Sequence, residues 1–343
     1  MRALQLISDR EVKVTDVAPP PPPGEGEVQL KIKVVALNHI DVWGWRGMAF
    51  AKRKLPMTVG AEASAEIAAI GPGVTGLKTG DLVAIYGAPT CGVCRPCREG
   101  RDNHCEHPKG VHGFHLDGYA QELANMPARN VVRAPEGLSD IAAAVAPVTF
   151  GTCEHMLFDN AKLESGETVL IHAGGSGIGS AAIQLAKKIG CTVITTVGSD
   201  DKFDKCFELG ADHVINYNTE PWTSRARKIT MKKGVDVVFE HVGKDTWAGS
   251  MMVLRRGGRL VTCGSTSGVS AETNLMMLFQ QQLRLIGSFG CNMRNMTDAM
   301  EKMAHGVVHP VIDTELEFGD LGPALERMEA RKVFGKIIMR VND

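Results

Sequence analysis

The 343-residue chain lacks an excess of charge of either sign: 38 Lys and Arg stand against 39 Asp and Glu, a formal net charge of −1. That balance argues against nucleic acid or an anionic membrane surface as the main partner, since both are recognised through a cationic field. No block of like charge compensates; Lys52-Arg53-Lys54 is short and reads as a solvated turn. Long apolar runs are missing too. The stretch from Ile141 to Phe150 contains Pro147 and falls short of the about 20 apolar residues of a membrane span. At the N-terminus Arg2, Asp9, Arg10 and Glu11 have no apolar core between them, so the segment does not read as a secretory signal. Internal repeats and low-complexity tracts are absent apart from the prolines 19–23, an extended lead-in to a strand. These absences lead to the expectation of a soluble, cytoplasmic protein with neither nucleic acid nor membrane as partner. Its length suggests two domains, at roughly 100–200 residues each.

Nine cysteines are present, and a reducing compartment favours metal ligands, buried small hydrophobes or reactive thiols over disulfides. Cys91, Cys94, Cys97 and Cys105 follow a C-x2-C-x2-C-x7-C spacing, with Gly92, Arg95, Pro96 and Gly100 beside them. Short loops of this kind fold four thiolates into a tetrahedron around one structural zinc, with no coordination position left open. Such binding is worth about 10–16 kcal/mol near neutral pH. An iron–sulfur cluster is the competing reading. His104 and His107 read as ordinary loop histidines. Cys153, Cys191, Cys206, Cys263 and Cys291 have no ligand spacing and read as small buried residues.

The chain changes character along its length. In residues 1–135, Val28, Leu30, Ile32 and Val34 alternate with polar residues, the period of a half-buried strand. Residues 61–70 and 81–86 add two strands around Gly71-Pro72-Gly73, so this half reads as an antiparallel or mixed β domain. From about residue 165, strands and helices alternate. Strands are expected at 168–172, 192–197, 213–216, 235–240, 259–263 and 285–288, and helices at 180–189 and 202–209, each helix closed by a glycine. Six strands with intervening helices imply an α/β, doubly wound parallel sheet. The last stretch ends in a strand over 333–341.

Between the strand at 168–172 and its helix lies Ala173-Gly174-Gly175-Ser176-Gly177-Ile178-Gly179. Matched to G-x-G-x-x-G, the positions are Gly174, Ser176 and Gly179, with Gly177 and Ile178 alongside; the strand–turn–helix context supports a dinucleotide site. Small residues let the backbone approach a pyrophosphate, and the helix N-terminus, placed at Gly179-Ser180, offers N–H groups and a positive dipole. The alternative is a tight turn in an unliganded sheet. The second strand ends Val197-Gly198-Ser199 with no acid at its tip, and Lys202 follows in the first turn of the next helix. A small polar residue and a cation suit the 2′-phosphate of NADPH, and NADH is the less favoured cofactor. The opposing possibility is that Asp200 or Asp201 folds back toward the ribose and selects NAD.

A β domain carrying a four-cysteine lobe, then a dinucleotide domain and a return segment, resembles the medium-chain dehydrogenase/reductase superfamily over the whole chain. The resemblance implies a GroES-like catalytic domain, residues 1–149 and 290–343 with its zinc lobe at 91–105, and a Rossmann domain over 150–289. Alcohol dehydrogenases of this superfamily hold a catalytic zinc, but the three ligand positions fall here on Asn38, Ala61 and Val148, and the proton-relaying Ser or Thr on Ile40. Asn38-His39-Ile40-Asp41, followed by Arg46-Gly47, instead looks like the quinone-oxidoreductase branch, which reduces quinones or activated C=C bonds with NADPH. In that branch a Lys and a Tyr hold the 2′-phosphate, matching Lys202 and Tyr217 here; Arg331 matches a family Arg before the terminal strand. Retention of the four-cysteine lobe departs from many quinone reductases.

What the resemblance implies is an NADPH-dependent reductase without catalytic zinc, acting on a quinone or an activated C=C or C=O bond of a small molecule. With no Lewis acid, hydrogen-bond donors stabilise the developing oxyanion; the Asn38 amide is the first candidate, with Asp41 orienting its neighbours. Trp43, Trp45 and Arg46 are candidates for the substrate cleft, with packing the alternative for both Trp. His39 and Thr152 are assigned to the cofactor, as are Gly264, Ser265, Ser288 and Phe289 at the carboxyl ends of late strands; His155 reads as a satisfied core histidine. A homodimer or homotetramer is expected, with residues 275–279 and 285–288 at the contact. The alternatives are a zinc alcohol dehydrogenase using His39, Asp41 and Glu62, and an NADPH-binding protein without turnover.

Overall fold

The computed structural model describes residues 1–47, 53–319 and 321–342, so Lys52 of the basic triplet lies outside the described residues. The chain divides into two compact units, Met1–Gly151 with Cys291–Asp343, and Thr152–Gly290.

The first unit is built on a seven-stranded sheet. Its central strand, Glu27–Ala36, buries Val28, Leu30, Ile32 and Val34 completely, as the period of two requires. Each is worth about 1.5–3 kcal/mol of hydrophobic burial. Antiparallel neighbours are Ala63–Ile70 on one side and Lys336–Arg340 on the other, and Leu123–Pro127 also pairs with the central strand. Only Ile312–Leu316 runs parallel to its neighbour, Lys336–Arg340, so the sheet is mixed. A small sheet of Arg2–Ser8, Glu11–Asp16 and Met57–Thr58 completes the unit's strands.

The second unit is a six-stranded parallel sheet. Its strands are Thr168–Ile171, Thr192–Val197, His213–Asn216, Val235–Glu240, Leu254–Thr262 and Arg284–Gly287. They lie side by side in the order third, second, first, fourth, fifth, sixth. The order reverses between the first and fourth strands, the crevice where such sheets bind ligands at their carboxyl ends. Three strands have the bounds expected from sequence. The fifth begins five residues early, at Leu254, and its register with the fourth slips between Val235 and Val237.

The apolar run that looked too short for a membrane span is longer than it reads. Asp140–Asn160 is helical over 21 residues, with mean hydropathy 1.3, which suffices to cross a membrane by length and composition alone. The share of its apolar window buried inside the protein is 83%, and that burial accounts for the composition. Pro147 does not end this helix but widens it: Ala146–Phe150 is π-helical. A proline ring clashes with the carbonyl four residues back and donates no N–H, so the turn opens.

Candidate active site

The cysteine lobe carries a metal-binding geometry. The Sγ atoms of Cys91, Cys94, Cys97 and Cys105 lie within 4.8 Å of one another. A tetrahedron with Zn–S bonds of about 2.3 Å has S···S edges of about 3.8 Å, and Cys91 Sγ lies 4.0 Å from Cys97 Sγ. Backbone N–H groups of Cys91 and His107 point at Cys105 Sγ, both at 3.4 Å, as thiolate ligands require. The N–H groups of Val93 and Cys94 lower the Cys91 thiol, whereas burial raises that of Cys97 to about 12. A dication resolves that conflict by stabilising all four thiolates together. Among the described residues this is the only group of three or more His, Cys, Asp or Glu side chains gathered for a metal. The alternative ligand set of His39, Asp41 and Glu62 is not such a group.

In the second unit the glycine turn follows Thr168–Ile171, but the helix starts at Gly177, two residues before the expected Gly179. Ser176 is its N-cap, and its Oγ accepts the Gly179 N–H at 2.9 Å. Serine at the motif's second position therefore caps the helix, the role for which its short side chain is favoured. A Cβ on Gly174 would meet Thr195 Oγ1 at 2.4 Å, and one on Gly179 would meet the Ala173 carbonyl oxygen at 2.2 Å. Both positions thus require glycine for close approach, and the turn fits a pyrophosphate at the helix N-terminus.

At the tip of the second strand, Tyr217 lies over Gly198; a Cβ there would sit 2.6 Å from the Tyr217 hydroxyl. Asn218 Nδ2 donates to the Gly198 carbonyl at 2.7 Å. Asn216, almost fully buried, donates to Asp200 Oδ1 at 2.7 Å and holds that carboxylate. Ser199 precedes the 3-10 turn Asp200–Lys202, so Lys202 ends that turn and caps the helix Phe203–Glu208 instead of lying in its first turn. Beyond the later strands, Gly264 packs on the His241 carbonyl and Ser288 Oγ accepts from Asn160 Nδ2 at 2.9 Å. Phe289 is exposed and Thr152 is buried. His155, also buried, lies 3.0 Å from Asp159 Oδ2, as a satisfied core histidine does.

In the first unit, the positions where zinc ligands were looked for do converge, but on a carboxylate. Glu62 is fully buried and accepts five hydrogen bonds. Its Oε1 takes the N–H groups of Val148 and Thr149, both at 2.7 Å. Its Oε2 takes Thr149 Oγ1 at 3.0 Å, Asn38 Nδ2 at 2.9 Å and Lys336 Nζ at 3.0 Å. The two N–H groups come from the widened turn after Pro147. Lys336, on the terminal strand, also donates to the Leu37 carbonyl at 2.6 Å and to Asn38 Oδ1 at 2.8 Å. Three acceptors around one nitrogen require the ammonium form, and five donors around one carboxyl require the carboxylate.

This network corrects the role expected of Asn38. Its second N–H goes to the Ala36 carbonyl at 3.1 Å, so both amide hydrogens are spent within the protein and none is left for a substrate oxyanion. Asp41 Oδ2 accepts the Asn38 backbone N–H at 2.7 Å. Its Oδ1 is buried with no hydrogen-bond partner among the described residues, and burial pushes the carboxyl up to about 6.

His39 opens the same short helix, His39–Trp45, and is half-buried. Trp45 is a packing residue: it is buried in the unit's core with the Arg10 guanidinium 4.6 Å over its ring. Trp43 is half-buried, and Arg46 pairs with Glu329 at 3.7 Å. Arg331 sits in the exposed turn after the helix Gly322–Glu329, so the buried cation of the terminal strand is Lys336. Lys336 went unremarked in sequence, although a lone lysine opening the apolar strand Lys336-Ile337-Ile338-Met339 was the available signal.

Residues 24–136 match the alcohol dehydrogenase GroES-like domain, and residues 177–305 the zinc-binding dehydrogenase family. The chain is 29% identical to the acryloyl-coenzyme A reductase of Metallosphaera sedula over 306 residues, 89% of each chain. It is 28% identical to the crotonyl-CoA reductase of Streptomyces avermitilis, covering 89% of this chain and 73% of that one. A solved NAD-dependent alcohol dehydrogenase superposes with a TM-score of 0.93 at 35% identity, covering 100% of both chains. The chain belongs to the medium-chain dehydrogenase/reductase superfamily. It is an oxidoreductase, with the Rossmann and GroES-like folds that its sequence implied.

Proposed function

We propose that this chain is an NADPH-dependent reductase of an activated C=C bond, with enoyl thioesters as the first substrate class and quinones as the second, and that its metal is structural only. The observation that carries the reading is Glu62. At the positions where the family's zinc ligands fall, it is saturated by five donors and neutralised by Lys336. The neighbouring side chains of Asn38, Ala61 and Val148 offer no thiolate or imidazole. Two relatives carry the names of reductases of unsaturated acyl-CoA thioesters, which favours C=C reduction.

A bound reduced dinucleotide supplies the hydride. The residues that would hold it are the N–H groups at the capped start of the helix Gly177–Lys188 for the pyrophosphate, and Ser199, Lys202 and Tyr217 for a 2′-phosphate. Asn216 supports NADPH over NADH by engaging the Asp200 carboxylate that would otherwise be available to a ribose 2′-hydroxyl. On the substrate side, Glu62, Lys336 and Asp41 fix Asn38 and the start of the helix His39–Trp45.

The test is dinucleotide consumption against enoyl thioesters, enones and quinones, alongside alcohol oxidation with NAD and metal analysis of the same sample. The expected result is NADPH oxidation with an enoyl thioester and about one zinc per chain. Alcohol oxidation with NAD by protein holding two zincs per chain refutes the reading. For assembly, a homodimer or homotetramer remains the proposal: the edge strand Arg284–Gly287 lies close in sequence to exposed Leu275, Met276 and Phe279.

A further inference from the structure

The second unit contains a buried polar chain that substrate chemistry does not use. Glu240, at the carboxyl end of the fourth strand, is fully buried; its Oε1 accepts the N–H groups of Val242 at 2.7 Å and Gly243 at 3.0 Å. Its Oε2 accepts the Ser250 hydroxyl at 2.7 Å. Ser250 Oγ lies 2.9 Å from His172 Nε2, and His172 Nδ1 lies 3.2 Å from Thr196 Oγ1. Thr196 Oγ1 in turn lies 3.2 Å from the backbone N–H of Ala173, the first residue of the glycine turn. Ala173 holds φ at +49°, a left-handed conformation unusual for a residue with a Cβ.

Proton counting orders this chain. A carboxylate only accepts, so Ser250 spends its one hydrogen on Glu240 and must accept from His172 Nε2–H. Complete burial lowers His172 even against the Glu240 carboxylate, whose Oε2 lies 3.6 Å from Nε2; a neutral ring that donates from Nε2 to Ser250 leaves Nδ1 bare. Thr196 then spends its hydrogen on Nδ1 and accepts from Ala173. Every link points the same way, from the glycine turn to Glu240. The His172 carbonyl meanwhile accepts His241 Nε2 at 2.8 Å. The edge of the Trp222 ring system stands at right angles to His172 with centroids 4.8 Å apart, leaving the imidazole little freedom.

We propose that Glu240, through Ser250, His172 and Thr196, sets the His172 tautomer and with it the strained start of the glycine turn, making these four side chains positioning residues for dinucleotide binding. The binding half of this inference rests on the proposed role of the glycine turn; the tautomer half does not.

The experiment labels histidine with 15N and assigns His172 by the loss of its signals in His172→Gln. In the wild type, Nε2 is expected to carry the proton and Nδ1 to be bare. In Glu240→Gln the new amide donates to Ser250, whose hydrogen turns to His172, and the tautomer inverts. Thr196 Oγ1 then accepts from both the ring and Ala173 on its two lone pairs, but its own hydrogen loses Nδ1 as acceptor, and the dissociation constant for NADPH, read by fluorescence titration, rises by up to roughly tenfold, the worth of that one hydrogen bond. Thr196→Val cuts the last link and is expected to weaken NADPH similarly with Nε2–H retained, so it carries the test if Glu240→Gln fails to fold. A wild-type Nδ1–H tautomer overturns the proposal, as does an unchanged tautomer in Glu240→Gln or unchanged NADPH affinity in Thr196→Val. If the wild type binds neither NADPH nor NADH, the dinucleotide reading fails and takes the binding half with it, while the nitrogen spectra still decide the tautomer half.

Discussion

Replacing Lys336 by methionine removes the cation from a carboxylate that has no access to water. Glu62 is 0% and Lys336 4% exposed, so neither end of the pair can be rehydrated without opening the unit. Truncating one partner of a buried pair costs about 3–5 kcal/mol, because the remaining charge is left uncompensated. Four donors still reach Glu62 in Lys336→Met, from Val148, Thr149 (twice) and Asn38, which places the cost toward the lower end. The Leu37 carbonyl and Asn38 Oδ1 also lose their donor, at about 1 kcal/mol each. For a unit of this size the sum, about 5 kcal/mol, corresponds to a melting temperature lower by roughly 10–20 °C. The decisive measurement is the double variant Glu62→Gln/Lys336→Met. A neutral amide keeps an oxygen for the Val148 and Thr149 N–H groups and presents hydrogens to Thr149 Oγ1 and, once the Asn38 amide turns to offer its oxygen in place of Nδ2, to Asn38, so at least half the loss should return. Thermal and denaturant unfolding are followed by tryptophan fluorescence, with Trp43 and Trp45 reporting on the first unit. The reasoning is refuted if Lys336→Met unfolds within about 1 kcal/mol of the wild type, the scale of an exposed pair, or if the double variant is no more stable than the single one.

Metal analysis should give about one zinc per chain, lost on Cys91→Ser/Cys97→Ser, and chelation should unfold the first unit as activity falls; activity lost while the fold persists would point to a catalytic metal instead. Lys202→Ala should raise the Michaelis constant for NADPH roughly 10-fold or more, the scale of a charge-assisted hydrogen bond, and leave NADH nearly unaffected; equal effects count against a 2′-phosphate contact. Asp41 makes a pH prediction. Its folded pKa, about 6, lies above the ordinary 3.8, so the folded state holds an extra proton between those values and stability from this group is lost as pH rises from about 4 to 6. The stability difference between wild type and Asp41→Asn should fall by up to about 3 kcal/mol across that window, and a flat difference shows that Asp41 is not perturbed.

The parallel sheet was legible because its strands are buried on both faces and read as apolar runs between glycine-closed helices. Thr192–Val197, His213–Asn216 and Val235–Glu240 match their expected bounds residue for residue. Four cysteines within a short loop were legible for a similar reason, since the ligand set is local. The helix start at Gly177 was missed because Gly177 and Gly179 are weak helix formers, and only the Ser176 cap explains why the helix begins among them. The Glu62 network was missed for a different reason. Lys336 and Glu62 are 274 residues apart in sequence, and their meeting depends on Lys336–Arg340 and Ala63–Ile70 flanking the same central strand. No local pattern encodes that pairing. Asn38 was read as a free donor because its residue type was visible and its three partners were not.

The two buried glutamates show how one local device serves two ends. Glu62 and Glu240 each take two consecutive backbone N–H groups on one oxygen and a nearby hydroxyl on the other: Val148, Thr149 and the Thr149 hydroxyl for the first, Val242, Gly243 and the Ser250 hydroxyl for the second. What differs is the basic partner. At Glu62 it is an ammonium in direct contact, which balances the charge and ties the terminal strand to Asn38 and the widened turn after Pro147. At Glu240 it is a neutral imidazole, its Nε2 3.6 Å from the carboxylate and hydrogen-bonded to it through a serine, which transmits hydrogen-bond direction without adding charge. The first arrangement should therefore fail as stability and the second as affinity. Exchanging the diagnostics is the sharpest check. Lys336→Met should leave the NADPH dissociation constant of the folded fraction within about twofold, well under one hydrogen bond's worth. Thr196→Val should shift that constant while costing the fold the two neutral hydrogen bonds of Thr196 Oγ1, about 1 kcal/mol each. If Lys336→Met weakens NADPH as strongly as it destabilises the fold, the two carboxylate clusters are not the separate devices inferred from their partners.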